Sequence, residues 1–211
     1  MEEKMAIEKI RNAVEVATKK IILLNDQDKI DENKENANYV YIQHENFLNA
    51  MIYHELVSNG YFPFNDVYME SLYPKEASSG KNSASADIAI IDVLKDNEVE
   101  NLFCEVKSIA YDHKKESTEI PSDKSYFCTD IKKLQKLMDY DNQVPVKGVV
   151  IIVNMTRYPG NYYECNPMPI LLKTLKTILK EGKYSNDMVF ILSDNVKAIT
   201  ITAGEIKRYE E

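Results

Sequence analysis

The sequence predicts an α/β fold with a mixed central β-sheet flanked by helices. Two observations carry this expectation. Strand-length apolar runs recur along the chain, in SADIAIIDV, NLFCEVKSIA, KGVVIIVNM, MVFILS and AITITA. Segments with helical spacing of apolar residues separate several of them, and strands that alternate with helices build sheets with parallel neighbours.

In chain order, residues 4–24 carry Ile7, Ile10, Val14, Ala17 and Ile21 at helical spacing. The polar segment NDQDKIDENKENAN that follows reads as a linker. Residues 1–38 therefore form an N-terminal helix and linker, with residues 39–211 as the main domain. The helix either packs on that domain, the default, or pairs with a second subunit. A second helix is expected over 44–58, where Leu48, Met51, Ile52 and Leu56 define an apolar stripe. Strands follow near 64–73, 86–94 and 100–109. After the polar stretch YDHKKESTEIPSDKSYF, Ile131, Leu134, Leu137 and Met138 predict a helix over 129–140, with Thr129 or Asp130 as N-cap. The strand KGVVIIVNM, the loop TRYPGNYYECNPMP and the helix ILLKTLKTILKEGK come next, with Gly182 as the cap of that helix. Two last strands, MVFILS and AITITA, leave a short charged tail.

Three charged residues interrupt the first two long apolar runs: Asp87 in SADIAIIDV, and Glu105 and Lys107 in NLFCEVKSIA. Buried strands tolerate ionised groups mainly where these pair or bind a metal. Glu105 and Lys107 lie two residues apart on one strand, so they share a face, while Cys104 and Val106 point the other way. Carboxylates converging from neighbouring strands are hard oxygen ligands suited to Mg²⁺ or Mn²⁺, and the Val106 carbonyl can add another. A lysine beside them can orient or help deprotonate a water, and can stabilise charge on a phosphoryl oxygen. The geometry imposes one condition. Opposed residues of an antiparallel hairpin have a constant index sum, which must be even for Asp87 to share the face of Glu105. A two-residue turn at Asp96-Asn97 makes it odd, so a three-residue loop, a five-residue loop or a bulge is required.

At these residues the chain resembles the PD-(D/E)xK nuclease superfamily, whose restriction-endonuclease-like core runs helix, three strands, helix, strand. The resemblance covers about half of the chain, with Ala86 where the family name implies proline. It implies an αβββαβ core preceded by an extra N-terminal helix, a nuclease-like domain over 39–211, and Asp87, Glu105 and Lys107 as catalytic residues. It also implies a glutamate on the first core helix as a further metal or water ligand. Glu45 fits that position better than Glu55; the plainer reading of either is a rim carboxylate that bends its stem to water. A basic or amide side chain of the next helix, Lys133 or Gln135, would lean over the site and touch phosphate, or would simply face solvent.

Other chemistries find little footing. The three cysteines (104, 128, 165) and three histidines (44, 54, 113) show no zinc spacing, and Cys104 reads as core. Phosphate-loop, dinucleotide and serine-hydrolase signatures are absent. Unpatterned cysteines fit a reducing cytoplasm, and the sequence offers neither a signal-peptide core nor a membrane-length apolar run. At 211 residues and 44% hydrophobic content, the chain supports one sizeable core.

The formal charge of −8 opposes nucleic acid at long range, but it is unevenly spread. Residues 39–129 hold 7 basic and 15 acidic side chains, whereas residues 130–183 hold 9 basic and 5 acidic. Lys173, Lys176, Lys180 and Lys183 recur along one side of the last long helix and can either follow a phosphate backbone or face solvent. Arg157, Tyr158, Tyr162 and Tyr163 offer further contacts, and His113 with Lys114 and Lys115 reads as a solvated loop. The expectation is a Mg²⁺- or Mn²⁺-dependent endonuclease acting on double-stranded DNA, in restriction, repair or mobile-element processing. Since one site cuts one strand, a homodimer would match the symmetry of the duplex. The rivals are a catalytically inactive nuclease-like binding module and a plain interaction protein.

Overall fold

The computed structural model describes residues 1–27, 45–72, 85–95, 98–109, 124–140, 143–154, 168–194 and 197–209. Its elements are α1 (Glu3–Gln27), α2 (Glu45–Ser58), a 3₁₀ turn (Phe64–Asp66), β1 (Val67–Leu72), β2 (Ser85–Lys95), β3 (Glu98–Ile109), α3 (Lys124–Asp139), β4 (Val146–Asn154), α4 (Met168–Glu181), β5 (Val189–Ser193), β6 (Ala198–Thr202) and α5 (Ala203–Arg208). The fold is α/β. Its single mixed sheet of six strands follows chain order from β1 to β6. β2 runs antiparallel to both its neighbours, β1 and β3; β3, β4 and β5 are parallel, and β6 returns antiparallel to β5.

The topology decides which helix covers which face. Two successive crossovers, β3–α3–β4 and β4–α4–β5, advance in the same direction, and right-handed crossovers put both helices on one side. There Phe127, Ile131 and Leu134 of α3 and Leu171, Leu175 and Ile178 of α4 pack on Val150, Ile152, Phe190 and Leu192. The other face is covered by α1 and α2, whose Ile10, Val14, Ile52 and Leu56 meet Ile88, Ile90, Cys104, Val106 and Ile151. Covered on both sides, β4 and β5 are buried almost throughout, as their unbroken apolar sequences require. The N-terminal helix thus packs on the common core. Two ion pairs hold it there, Glu3 to Lys147 at 2.6 Å and Lys20 to Glu55 at 2.5 Å.

The β2–β3 hairpin meets the parity condition by a bulge. Near the turn the partners are Lys95↔Glu98, Leu94↔Val99 and Val93↔Glu100, with an odd index sum of 193. After the irregularity between Ile90 and Val93 they become Ile90↔Leu102, Ala89↔Phe103 and Ile88↔Cys104, with a sum of 192. Apolar patterning explains why the extra residue sits there. Ile88, Ile90 and Val93 all face the α1/α2 core, a 2-then-3 spacing that strict alternation cannot satisfy. An unbroken strand would turn Asp92 inward. Instead Asp92 is expelled to solvent at φ 58°, and its N–H donates to Asn101 Oδ1 at 3.2 Å.

Several boundaries differ from the sequence expectation: α1 runs on to Gln27, into the expected linker, and residues 64–66 form a 3₁₀ turn so that β1 starts only at Val67. α3 begins at Lys124, so Thr129 and Asp130 lie inside the helix and neither caps it. Phe127 extends the apolar stripe one turn upstream of Ile131, and its burial draws the helix with it. The expected charged tail begins as α5. Thr202 and Glu205 form a reciprocal capping box in which each side chain accepts the other's backbone N–H. Gly182 directly follows α4 but does not take the left-handed conformation of a glycine cap; its lack of a side chain is used instead for close approach, since a Cβ there would lie 2.0 Å from the Tyr184 ring. No described helix is long and apolar enough to cross a membrane.

Candidate active site

The β2–β3 ladder ends at Ile88↔Cys104, whereas β3 stays paired with β4 as far as Ile109↔Asn154. Beyond Cys104 the β2 side of β3 is therefore open, and the charged residues gather in that opening. Continuing the even sum by one step sets Asp87 across from Glu105. The Asp87 carboxylate takes the place of a ladder partner, its Oδ2 accepting the Val106 N–H at 2.7 Å. Ala86, at the position the family name gives to proline, is fully buried against Leu137 of α3.

Lys107 lies between helices from opposite faces of the sheet. Its Nζ donates to Glu45 Oε1 of α2 at 2.8 Å and lies 3.0 Å from Asp130 Oδ2 of α3. The open side of β3 is what lets one side chain meet both. Asp130 Oδ1 in turn pairs with Lys133 at 2.9 Å, and Lys133 Nζ lies 3.9 Å from Glu105 Oε1. Glu105 is 2% exposed and Asp130 5%. Among the described residues, six ionisable side chains thus gather from α2, β2, β3 and α3, four carboxylates and two ammoniums. Burying an excess of like charge is costly without a compensating partner.

The electrostatics follow from that imbalance. Burial pushes the Asp87 carboxyl above its ordinary range; the Val106 N–H opposes this, and the Glu45 and Asp130 charges add to it. Burial pulls the Lys107 ammonium down, but its contacts with Glu45 and Asp130 prevail and hold its pKa above the usual lysine value. Lys133 behaves alike, burial being outweighed by Asp130 and Glu105. Both lysines are therefore cations at neutral pH. Burial also raises the Cys104 thiol, helped by Asp87 and Glu105, which keeps it protonated in the core.

Among the described residues, no three His, Cys, Asp or Glu side chains converge as a ready-made metal cage. The oxygen donors at hand are the Asp87 and Glu105 carboxylates and the Val106 carbonyl. Such a partial set suits a hard cation that keeps several waters, as Mg²⁺ does.

The other expected site residues divide. Lys133 joins the cluster, but Gln135 turns away, accepting the Ser185 N–H at 2.6 Å and donating to Asp139 at 2.7 Å. Glu55 is neither a rim carboxylate nor near Lys107; it is buried, paired with Lys20 and bonded to Asn59. On α4, Lys173 and Lys180 are exposed, as is Lys183 just beyond it, while Lys176 donates to the Tyr209 carbonyl. Arg157, Tyr158, Tyr162, Tyr163, His113, Lys114 and Lys115 lie outside the described residues. Sequence reasoning missed Asp130 as a member of the cluster. The signal was Phe127, which extends the helix and puts Asp130 within it.

No protein-family model, curated protein or solved structure matches the chain.

Proposed function

We propose that this protein is a Mg²⁺-dependent endonuclease of the PD-(D/E)xK superfamily, with a restriction-endonuclease-like core, that hydrolyses phosphodiester bonds of DNA. The observation that carries the reading is the lysine two residues after Glu105 on β3, held 2.8 Å from a glutamate of the preceding helix, beside Asp87. The order α2–β1–β2–β3–α3–β4 agrees with it.

In this reading Asp87, Glu105 and the Val106 carbonyl would hold Mg²⁺ or Mn²⁺, which when bound would supply Lewis acidity to the phosphoryl oxygen and to the attacking water. Lys107, kept charged by Glu45 and Asp130, acts as a cation: it orients the water and stabilises negative charge on the scissile phosphate, and does not remove a proton. Glu45 sets the direction of that ammonium and can accept a proton from the water. Lys133, partly exposed, meets a phosphate oxygen. Double-stranded DNA is the substrate and a homodimer the working form, one site to each strand.

A second reading has a specific observation in its favour. Lys107 is bracketed by two carboxylates, and among the described residues no three His, Cys, Asp or Glu side chains are placed to hold a metal ion together, as in a catalytically inactive module whose charges serve structure. Incubating plasmid and single-stranded DNA with the protein in Mg²⁺, Mn²⁺ or EDTA, beside Asp87→Ala and Lys107→Ala, separates the two. Metal-dependent cutting lost in both variants is the expected result. Absence of cutting on every substrate favours the inactive module.

A further inference from the structure

Five charged side chains alternate in sign along one path: Glu45, Lys107, Asp130, Lys133 and Glu105, with successive N···O distances of 2.8, 3.0, 2.9 and 3.9 Å. Asp130 is the hub, one lysine on each carboxylate oxygen. The links are unequal. Lys133 is within hydrogen-bond reach of Asp130, an i,i+3 neighbour on the same helix, whereas its contact with Glu105 is too long for a hydrogen bond and is Coulombic alone.

We propose that Lys133 and Asp130 form a counter-ion latch on the cation site: Lys133 lends positive charge to Glu105 in the metal-free protein, and Asp130 retains Lys133 when a divalent cation takes its place. The proposal rests on the nuclease reading and adds a regulation of the same site. An arriving cation and the Lys133 ammonium compete for the Glu105 carboxylate and repel one another. Lys133 can yield because its long contact is weak and its side chain is 36% exposed. It does not leave for bulk solvent, because the Asp130 link belongs to α3 alone and survives. Released from Glu105, Lys133 remains beside Lys107, and two ammoniums held by one carboxylate make a receptor for phosphate. Cation and nucleic acid then bind with positive coupling, each favouring the arrangement in which Lys133 has left Glu105.

The test is calorimetric titration of Mn²⁺ into the metal-free full chain, without nucleic acid, for wild type, Lys133→Met, Asp130→Asn, the double variant and Glu105→Gln. Lys133→Met is expected to bind Mn²⁺ about fivefold more tightly, the competition from a partly exposed pair being worth about that much. Asp130→Asn should bind about fivefold more weakly, because Lys133 then pairs with Glu105 alone. The double variant should match Lys133→Met within about twofold, since Asp130 acts through Lys133. Purely additive effects, with the double variant back at the wild-type affinity, overturn the latch and leave ordinary long-range electrostatics. Should Asp130→Asn fail to fold in a thermal melt, Lys133→Met decides alone, and unchanged or weaker binding overturns the latch. A wild-type trace as flat as that of Glu105→Gln overturns the metal site itself and the latch with it.

Discussion

At its C-terminal end α2 buries Glu55, 1% exposed, against Lys20 of α1 and the side chain of Asn59; at its N-terminal end Glu45 holds Lys107, which a second carboxylate also claims. The first cluster is closed, one carboxylate with one ammonium and a neutral amide donor. The second runs through Asp130 and Lys133 to Glu105 and keeps an excess of negative charge beside Asp87. A balanced buried pair fastens one helix to another. An unbalanced one, gathered where two strands part, is on the proposed reading a place for a positively charged ligand. Burial alone does not separate the two, since Glu55 and Glu105 are equally inaccessible; the partner count does.

The sharpest way to break the comparison is Lys107→Ala. On the nuclease reading, cleavage should fall by about 10²–10³-fold, the usual loss when one charge-stabilising donor is removed; Glu45 and Asp130 also lose a counter-charge, so a urea titration should find a less stable but still cooperatively folded protein. Lys20→Ala should touch stability alone: Glu55 loses its counter-charge, the unfolding free energy falls by about 2 kcal/mol, and cleavage persists. Asn59→Ala is a milder version, costing about 1 kcal/mol for the bond to Glu55, again with cleavage intact. If either α2 C-terminal variant abolished cleavage, the division between a structural end and a functional end would fail. The smallest effect has the opposite sign. Burial raises the Asp87 carboxyl, so its contribution to folding is complete below the ordinary aspartate range and is lost as pH rises through the raised value. Asp87→Asn should therefore raise the thermal midpoint of the metal-free protein at neutral pH, and the gain should shrink to nothing in a series of melts carried below that range.

Much of the charged cluster is legible in the sequence because strands report their faces. A charge inside an apolar run, and two charges at a spacing of two, fix Asp87, Glu105 and Lys107 as neighbours once an even register is required. Glu45 is legible only through the resemblance, which implies a glutamate on this helix. Asp130 is not, for a physical reason: Thr-Asp ahead of an apolar stripe has the chemistry of an N-cap, and only the burial of Phe127 makes it helix interior. The fate of Glu55 depended on Lys20, which is 35 residues away in sequence and unreadable without the packing of α1 on α2. The α5 start was readable and missed, Thr202 and Glu205 having the spacing of a capping box.

The bulge at Asp92 turns the site into a matter of counting. Left at its present length and closed by two residues, the hairpin could zip into an uninterrupted ribbon, and in that ribbon Asp87 would stand across from Val106, on the wrong side of the sheet. The smoothest pairing open to this segment is thus the one that dismantles the cluster. Small insertions and deletions should accordingly be judged by where they fall. Losing Ile91 or Asp92 would heal the ribbon and leave Asp87 facing Glu105, whereas losing one residue between Val99 and Asn101 would disturb the frame that the surplus residue corrects. The reading frame of the gene has a counterpart here in the pleat of a strand.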